Sequence, residues 1–482
     1  HKIRTQMEKL KLQTVIGGLV ALIAFLAFLF MPSQWYGLDL TVVEQRMVAI
    51  FVASAILWLS EAIPTWCTSV LIIVVMLLMV GKGSALWCFT GNENLGTLIP
   101  NKDIMASFAD PVIMLFMGGF VLAIAVEKVG LDVWMARTLL KPFGTSPAFV
   151  LMGFILVTAL FSAFISNTAT AAMMLAFLAP VLRSLPADGK GKIALAMAIP
   201  LGANIGGIAT PIGTPPNGVA MKYLNDLSER GIIDPVGFLD WCVVMTPITI
   251  LILIIGWAVL YWMFPFKKGV KVELKIEGGM KEGNETWIVA ATFVTTIILW
   301  FTGEWNGVNA NAVALVPIAI LAVTGVLTKK DLEKINWSVL WMVAGGFALG
   351  LGFNKSGLAN NLVTSIPFAE WSGLVVLIVA GFICWILSNF ISNSATAALL
   401  IPILTAVGEG MGAEYAADGG LKTLLVGTAM AASLAMTLPI STPPNAIASS
   451  TGIIDQKDMA KSGLAIGLIG GLVGYLVLIF VF

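Results

Sequence analysis

Ionisable chemistry is what this chain has least of. A single histidine, His1, occurs in 482 residues, which argues against any mechanism built on imidazole. The four cysteines (Cys67, Cys88, Cys242 and Cys384) are scattered, with no paired spacing for a metal or redox site, and packing is their simplest role. Charged residues are only 11% of the chain and cancel to a formal charge of zero, so net charge implies no nucleic-acid partner. Apolar residues take their place. They reach 58%, with a mean hydropathy of +0.95, far from any soluble domain.

Apolar runs of about 17–24 residues recur along the sequence, and at 1.5 Å per residue each can cross a hydrocarbon layer of roughly 30 Å. The expectation is an all-α polytopic membrane protein. Runs lie at about 14–31, 47–63, 65–81 and 111–127, followed by an amphipathic stretch at 131–141. Interrupted segments follow at 147–182 and 192–225, then a run at 241–264 and a linker, 267–285, with five lysines. The remainder holds runs at 286–303, 310–328 and 337–353, interrupted segments at 371–407 and 421–450, and a last run at 462–482. The first run follows Lys2, Arg4, Lys9 and Lys11, and is too long for a signal-peptide core, so an uncleaved span is expected.

The interruptions repeat. Ser162-Ala-Phe-Ile-Ser-Asn-Thr168 is echoed by Ser388-Asn-Phe-Ile-Ser-Asn-Ser394, and Ile212-Gly-Thr-Pro-Pro-Asn217 by Ile440-Ser-Thr-Pro-Pro-Asn445. Ser166-Asn167 and Ser392-Asn393 are 226 residues apart, Gly118-Gly119-Phe120 and Gly345-Gly346-Phe347 are 227 apart, and the Thr-Pro-Pro phrases 228. The chain therefore reads as two copies, 47–266 and 286–482, behind an N-terminal segment, 1–46, and joined by a cytoplasmic linker, 267–285. In each copy a first part (47–141, 286–366) precedes a hairpin and broken helix (147–264, 371–482). The arms beside Ser166 and Ser392 read as about 13–17 residues, short for spanning, so each pair is expected to enter and leave on one side.

Counting hairpins as zero, the first copy crosses the membrane an odd number of times, so the second is inverted. Inverted repeats with broken helices at their interface mark transporters. With the N-terminus inside, 20 of the lysines and arginines face the cytosol and 7 face outward, which supports that topology. The total is about 11 transmembrane helices plus two re-entrant hairpins. Compactness and the lack of long loops point to a bacterial inner membrane.

Serine, asparagine and threonine cap helix starts, and proline suits the first helical turn. Four half-helix N-termini, at Asn167, Thr214-Pro215, Asn393 and Thr442-Pro443, are thus expected to converge, each with partial positive charge and free N–H donors for an oxyanion. Carbonyls ending the preceding arms, with Ser162, Asn167, Ser388 and Asn393, suit a hard cation. No Lys, Arg, His, Asp or Glu lies in the four phrases. Proton coupling normally needs an ionisable residue in the membrane, so bound sodium is the expected countercharge for a multivalent anion. An isolated Ser-Asn-Thr in a membrane helix ordinarily just bonds a local carbonyl. Duplication at matched positions favours function here.

These phrases, in this order within two copies, resemble the divalent anion/sodium symporters, the INDY-type dicarboxylate transporters, over nearly the whole chain. The resemblance implies a homodimer in which a moving part (hairpins, broken helices and the runs at 241–264 and 462–482) carries its site across a fixed scaffold, as an elevator. It implies C4-dicarboxylate cargo with two or more sodium ions. One sodium site would use Ser162, Ser166, Asn167 and the backbone around Gly213. The other would use Ser388, Ser392, Asn393 and the backbone at Ser441. Substrate would meet Asn167, Thr168, Asn393 and Ser394, with Thr214, Pro215, Thr442 and Pro443 lining the site. Ser394 stands where many members have threonine, which keeps the hydroxyl and loses a methyl contact.

Three other readings compete. A sodium-independent dicarboxylate antiporter would use the same fold. A channel would want a continuous polar path, whereas the hairpins look like plugs on opposite sides. An intramembrane enzyme would need a nucleophile with its base, and neither Ser166 nor Ser392 has histidine or lysine nearby in sequence.

Overall fold

The computed structural model describes residues 2–32, 37–83 and 94–482, with side chains from residue 12 onward. His1, Cys88 and the side chains of Lys2, Arg4, Lys9 and Lys11 lie outside the described residues. Among those residues the regular structure is helical throughout, and nine helices are long and apolar enough to cross a membrane. The principal ones are α1 (Lys2–Phe30), α2 (Val42–Ser60), α3 (Thr65–Met79), α4 (Pro111–Lys128), α5 (Leu131–Leu140), α6 (Pro147–Ser162), α7 (Asn167–Ser184), α8 (Gly191–Gly206), α9 (Pro215–Glu229) and α10 (Phe238–Met263). After the linker come α11 (Asn284–Phe301), α12 (Leu315–Val323), α13 (Trp337–Lys355), α14 (Leu358–Ser365), α15 (Gly373–Phe390), α16 (Asn393–Gly410), α17 (Gly420–Ser433), α18 (Pro443–Ser449) and α19 (Gln456–Val481).

Polar residues set where these helices begin. Thr41 and Glu44 form a reciprocal capping box at the start of α2. Asp110 accepts from Val112 N ahead of a first-turn proline in α4. Apolar sequence all round lets a helix sit inside protein or against lipid, and the chain uses both. Only 11% of the α1 span is buried, whereas 89% of the span Gly191–Ala209 is, so α8 is the axis of the core and α1 an outer strut.

All four sequence breaks are breaks in the helices. Helix α6 ends at Ser162 and α7 begins at Asn167; α15 ends at Phe390 and α16 begins at Asn393. The first arm, of 16 residues, falls within the expected length, and the other three, of 18 residues each, are slightly longer. At 1.5 Å per residue the longer arms reach about 27 Å. Length alone therefore does not force a re-entrant path.

The halves interlock. Helix α18 packs on α7 and α8, while α9, its counterpart, packs on α16 and α17. Each post-break helix thus sits against an arm from the opposite half. Around this body, α1, α2, α3 and α13 pack in sequence, and α4 packs on α12. The Gly-Gly pairs explain how the two layers meet. A Cβ at Gly118 would fall 2.2 Å from Ala314 O and one at Gly345 2.3 Å from Ser69 Cβ, both within the outer layer. The second glycines face inward, Gly119 toward Ile212 and Gly346 toward Ala398. Lys128, at the end of α4, pairs with Asp331 at 2.7 Å and not with the adjacent Glu127.

Candidate functional site

The four phrases line one cavity of about 410 Å³. Ser166, Asn167 and Thr168 enter from the first hairpin, Ser392, Asn393 and Ser394 from the second, Gly213, Thr214 and Pro215 from the first break, and Ser441, Thr442 and Pro443 from the other. Ser162 and Ser388 stand just behind this wall, both fully buried. Every residue singled out from sequence is therefore at the cavity or in direct contact with a group that is.

Local chemistry accounts for the arrangement. Ser166 Oγ accepts from Ala169 N at 3.2 Å and Ser392 Oγ from Ala395 N at 3.1 Å, so each serine caps the helix leaving its break. Thr442 caps α18 through Asn445 N at 3.2 Å. Thr214 differs from expectation: its backbone is extended ahead of Pro215-Pro216, but its side chain makes no capping bond. The unwound strands before the prolines are held by the asparagines ending each phrase. Asn217 Nδ2 donates to Gly207 O at 2.9 Å and Thr210 O at 2.8 Å. Asn445 Nδ2 donates to Met436 O at 2.8 Å and Leu438 O at 2.9 Å. Buried carbonyls freed by a broken helix need such donors.

Behind the hairpin tips, oxygens outnumber hydrogens. Ser162 Oγ lies 2.6 Å from both Asn167 Oδ1 and Ala203 O, although its hydroxyl carries one hydrogen. Ser388 Oγ repeats this in the second half, 2.7 Å from Asn393 Oδ1 and 2.9 Å from Ala432 O. Around Asn167 the crowding goes further, because Gly213 O and Ala203 O stand 3.1 and 3.2 Å from the same side-chain position. Two arrangements relieve it. The amide turns so that its NH₂, with two hydrogens, faces the three oxygens and donates to two of them, Ser162 Oγ giving its own hydrogen to Ala203 O, or a hard cation is drawn in among them. Close backbone approach is part of the design, since a Cβ at Gly213 would fall 2.2 Å from Gly207 O. The second half has Ala435 and Ser441 there, and Ser441 Oγ donates to Asn389 O at 2.8 Å.

Several lining groups were not singled out from sequence. Asn204, buried on α8, donates to Asn445 Oδ1 at 3.0 Å and joins the two halves at the cavity. An apolar wall comes from Phe116, Phe120, Val339 and Met342, and polar groups from Thr65, Asn336 and Ser338. Glu61 also lines the cavity. The four phrases are uncharged, but the cavity they share is not. Glu61 falls near the end of the run read at 47–63, in the turn between α2 and α3, and nothing in its local pattern distinguishes it from an ordinary loop acid.

Comparison with known proteins agrees with a carrier. The family model for citrate transporters matches residues 55–419. A sodium-dependent dicarboxylate transporter, SdcS, of Staphylococcus saprophyticus is 29% identical over 470 residues, covering 90% of this chain and 85% of that one. An uncharacterized transporter of Haemophilus influenzae is 32% identical over 443 residues, 88% of each chain. Among solved structures, Neisseria gonorrhoeae MtrF, of a class of antimetabolite efflux pumps, superposes with a TM-score of 0.52 at 13% identity, covering 86% of this chain and 94% of its own. The YdaH transporter of Alcanivorax borkumensis gives 0.51 at 14%, covering 87% and 98%. Family and relatives name transporters, not enzymes.

Proposed function

The chain belongs to the citrate transporter family, and on that premise we propose that it is a secondary active transporter carrying C4-dicarboxylates, succinate-like divalent anions, into the cell with sodium ions. The carrying observation is the shared cavity, where four helix starts meet above two matched nests of hydroxyl, amide and carbonyl oxygens. Helix starts favour carboxylates. Oxygen nests short of hydrogens favour a hard cation. Sodium bound there would offset a dianion's charge where no lysine or arginine among the described residues lines the cavity. The names of the Staphylococcus relatives support the same cargo.

In this reading Ser162, Ser166, Asn167 and the Gly213 backbone hold one sodium ion, and Ser388, Ser392, Asn393 and the Ser441 backbone hold another. Asn167, Thr168, Asn393 and Ser394 meet the carboxylates, and Thr214, Pro215, Thr442 and Pro443 shape the walls. Helices α6–α10 and α15–α19 form the moving part. Helices α1–α5 and α11–α14 form the scaffold of a homodimer in a bacterial inner membrane, with the N-terminus in the cytosol. On that topology Glu61, Thr65, Asn336 and Ser338 lie at cytoplasmic ends of scaffold helices. Their presence in the cavity wall supports reading this as the cytoplasm-facing state of an elevator built from inverted repeats.

The test is uptake of labelled succinate into proteoliposomes as sodium is varied on one side. Uptake should rise with an inward sodium gradient, and with a Hill coefficient above one if both nests are used. Uptake driven only by internal succinate, indifferent to sodium, would establish the antiporter instead. Thr168→Ala and Ser394→Ala should each raise the succinate KM about 10-fold, the worth of one hydrogen bond to a charged group, with little change in half-saturating sodium. Equal changes in both would remove the hydroxyls from the substrate half of the site.

A further inference from the structure

Glu61 occupies a backbone conformation that a glutamate does not choose. Its φ is 48° and ψ 33°, in the left-handed region, and it is the only non-glycine residue with positive φ among those described. L-residues avoid that region because Cβ crowds the carbonyl, and glycine or asparagine usually fills such a turn. The position is unfavourable a second time. Glu61 caps the C-terminal end of α2, where the helix's free carbonyls repel a carboxylate. No described cation compensates, since Glu61 forms no salt bridge with a described residue. Its side chain is exposed, and what it faces is the cavity.

A residue held at two local costs, on a site wall, points to a role for its charge. Helix α2 belongs to the proposed scaffold, whereas the four phrases belong to the proposed moving part. The carboxylate and the bound anion would therefore be neighbours only in the cytoplasm-facing state. Resting on the transport reading above, we infer that Glu61 is a specificity-determining residue: a fixed negative charge that weakens anion binding on the cytoplasmic side, promotes release there, and discriminates against more highly charged anions. Repulsion between fixed charges scales with the charge of the anion. A tricarboxylate is thus disfavoured more than a dicarboxylate, and a monoanion least. Outside, where the site has left Glu61 behind, the discrimination is absent.

The experiment uses the full chain in proteoliposomes, with succinate, its monomethyl ester and citrate at pH 8 as probes of charge −1 to −3. Half-saturation is measured separately at the cytoplasmic and external faces. For Glu61→Gln, cytoplasmic half-saturation should fall about 2-fold per unit of anion charge: about 2-fold for the monoester, 4-fold for succinate and 8-fold for citrate. External values should not move. The cytoplasmic effect should shrink with added inert salt, as expected of a partly solvated charge. Glu61→Asn removes the charge while suiting the left-handed turn, and should behave as Glu61→Gln does even if the glutamine variant folds poorly. A shift equal for all three anions, a shift on both faces, or no shift in either variant would overturn the inference while leaving the carrier intact. A wild-type chain that carries none of the three would overturn the transport reading and this inference together.

Discussion

Asn167→Ala and Asn393→Ala are each expected to cut sodium-driven succinate uptake by about 100-fold, raising half-saturating sodium and succinate KM together. Each amide stands in an oxygen nest on one side and at the cavity on the other. The Asn167 amide stands 2.6 Å from Ser162 Oγ, and Asn393 Oδ1 lies 2.7 Å from Ser388 Oγ, while both side chains line the cavity. On the proposed assignment, alanine removes a cation ligand and a carboxylate donor at one stroke. Hydrogen bonds to charged partners contribute about 1.5–3 kcal/mol each, and about 2.7 kcal/mol corresponds to a 100-fold loss. The paired shift is the diagnostic. Thr168 and Ser394, which reach only the anion in this reading, should move the succinate KM alone. Neither asparagine supports a fold-wide packing layer, so thermal unfolding of both variants should stay within a few degrees of the parent. Normal transport by both variants would refute the site as drawn.

How much of this was readable beforehand follows from what polar residues cost in an apolar setting. A Ser-Asn or Thr-Pro-Pro inside a membrane-length run interrupts the backbone ladder, and the freed groups must be satisfied by protein. The breaks were therefore visible in one sequence, and their repetition at near-constant spacing placed Ser166, Ser392, Thr214 and Thr442 in a common site. The outer wall had no such mark. Phe116, Phe120, Val339 and Met342 continue ordinary apolar runs, and what turns them toward the cavity is packing between distant helices. Asn204 is a lone amide whose partner, Asn445, is 241 residues away. Thr214 and Thr442 read alike yet only Thr442 caps through its side chain, because local sequence does not fix a rotamer. Lys128 reaches Asp331 across 203 residues, a pairing that no local pattern marks.

Charge pairing across the two layers gives the second large effect. Lys222 Nζ, on α9, lies 2.9 Å from Asp110 Oδ2 at the start of α4, and 3.4 Å from Asp226 Oδ2 on its own helix. The Lys222 and Asp110 side chains are 20% and 12% exposed, and Lys222 also stands 5.4 Å from the Phe347 ring centroid on α13. In the proposed division α4 and α13 are scaffold and α9 moves, so this pair ties the moving part to the scaffold at its external end. Travel outward must separate it and rehydrate both charges. Lys222→Met should therefore shift the resting population away from the cytoplasm-facing state by about 10-fold, or about 1.4 kcal/mol, well below the 3–5 kcal/mol of a fully buried pair because this one is partly wet. Asp110→Asn should act similarly without unravelling α4, since asparagine caps a helix as well as aspartate does. The double variant should cost much less than the sum, and the cycle should return a coupling of about 1 kcal/mol. External succinate KM and labelling of a cysteine placed at Ser338, accessible in the cytoplasm-facing state, both read the population. Arg230 and Glu409 provide the control. They pair at 2.6 and 3.1 Å, but both lie in the proposed moving part, on the loop after α9 and on α16. Breaking that pair with Arg230→Met should leave the population unchanged. Equal population shifts from the Arg230 and Lys222 variants, or strict additivity of the Lys222 and Asp110 changes, would show that the contact between α4 and α9 does not open during transport.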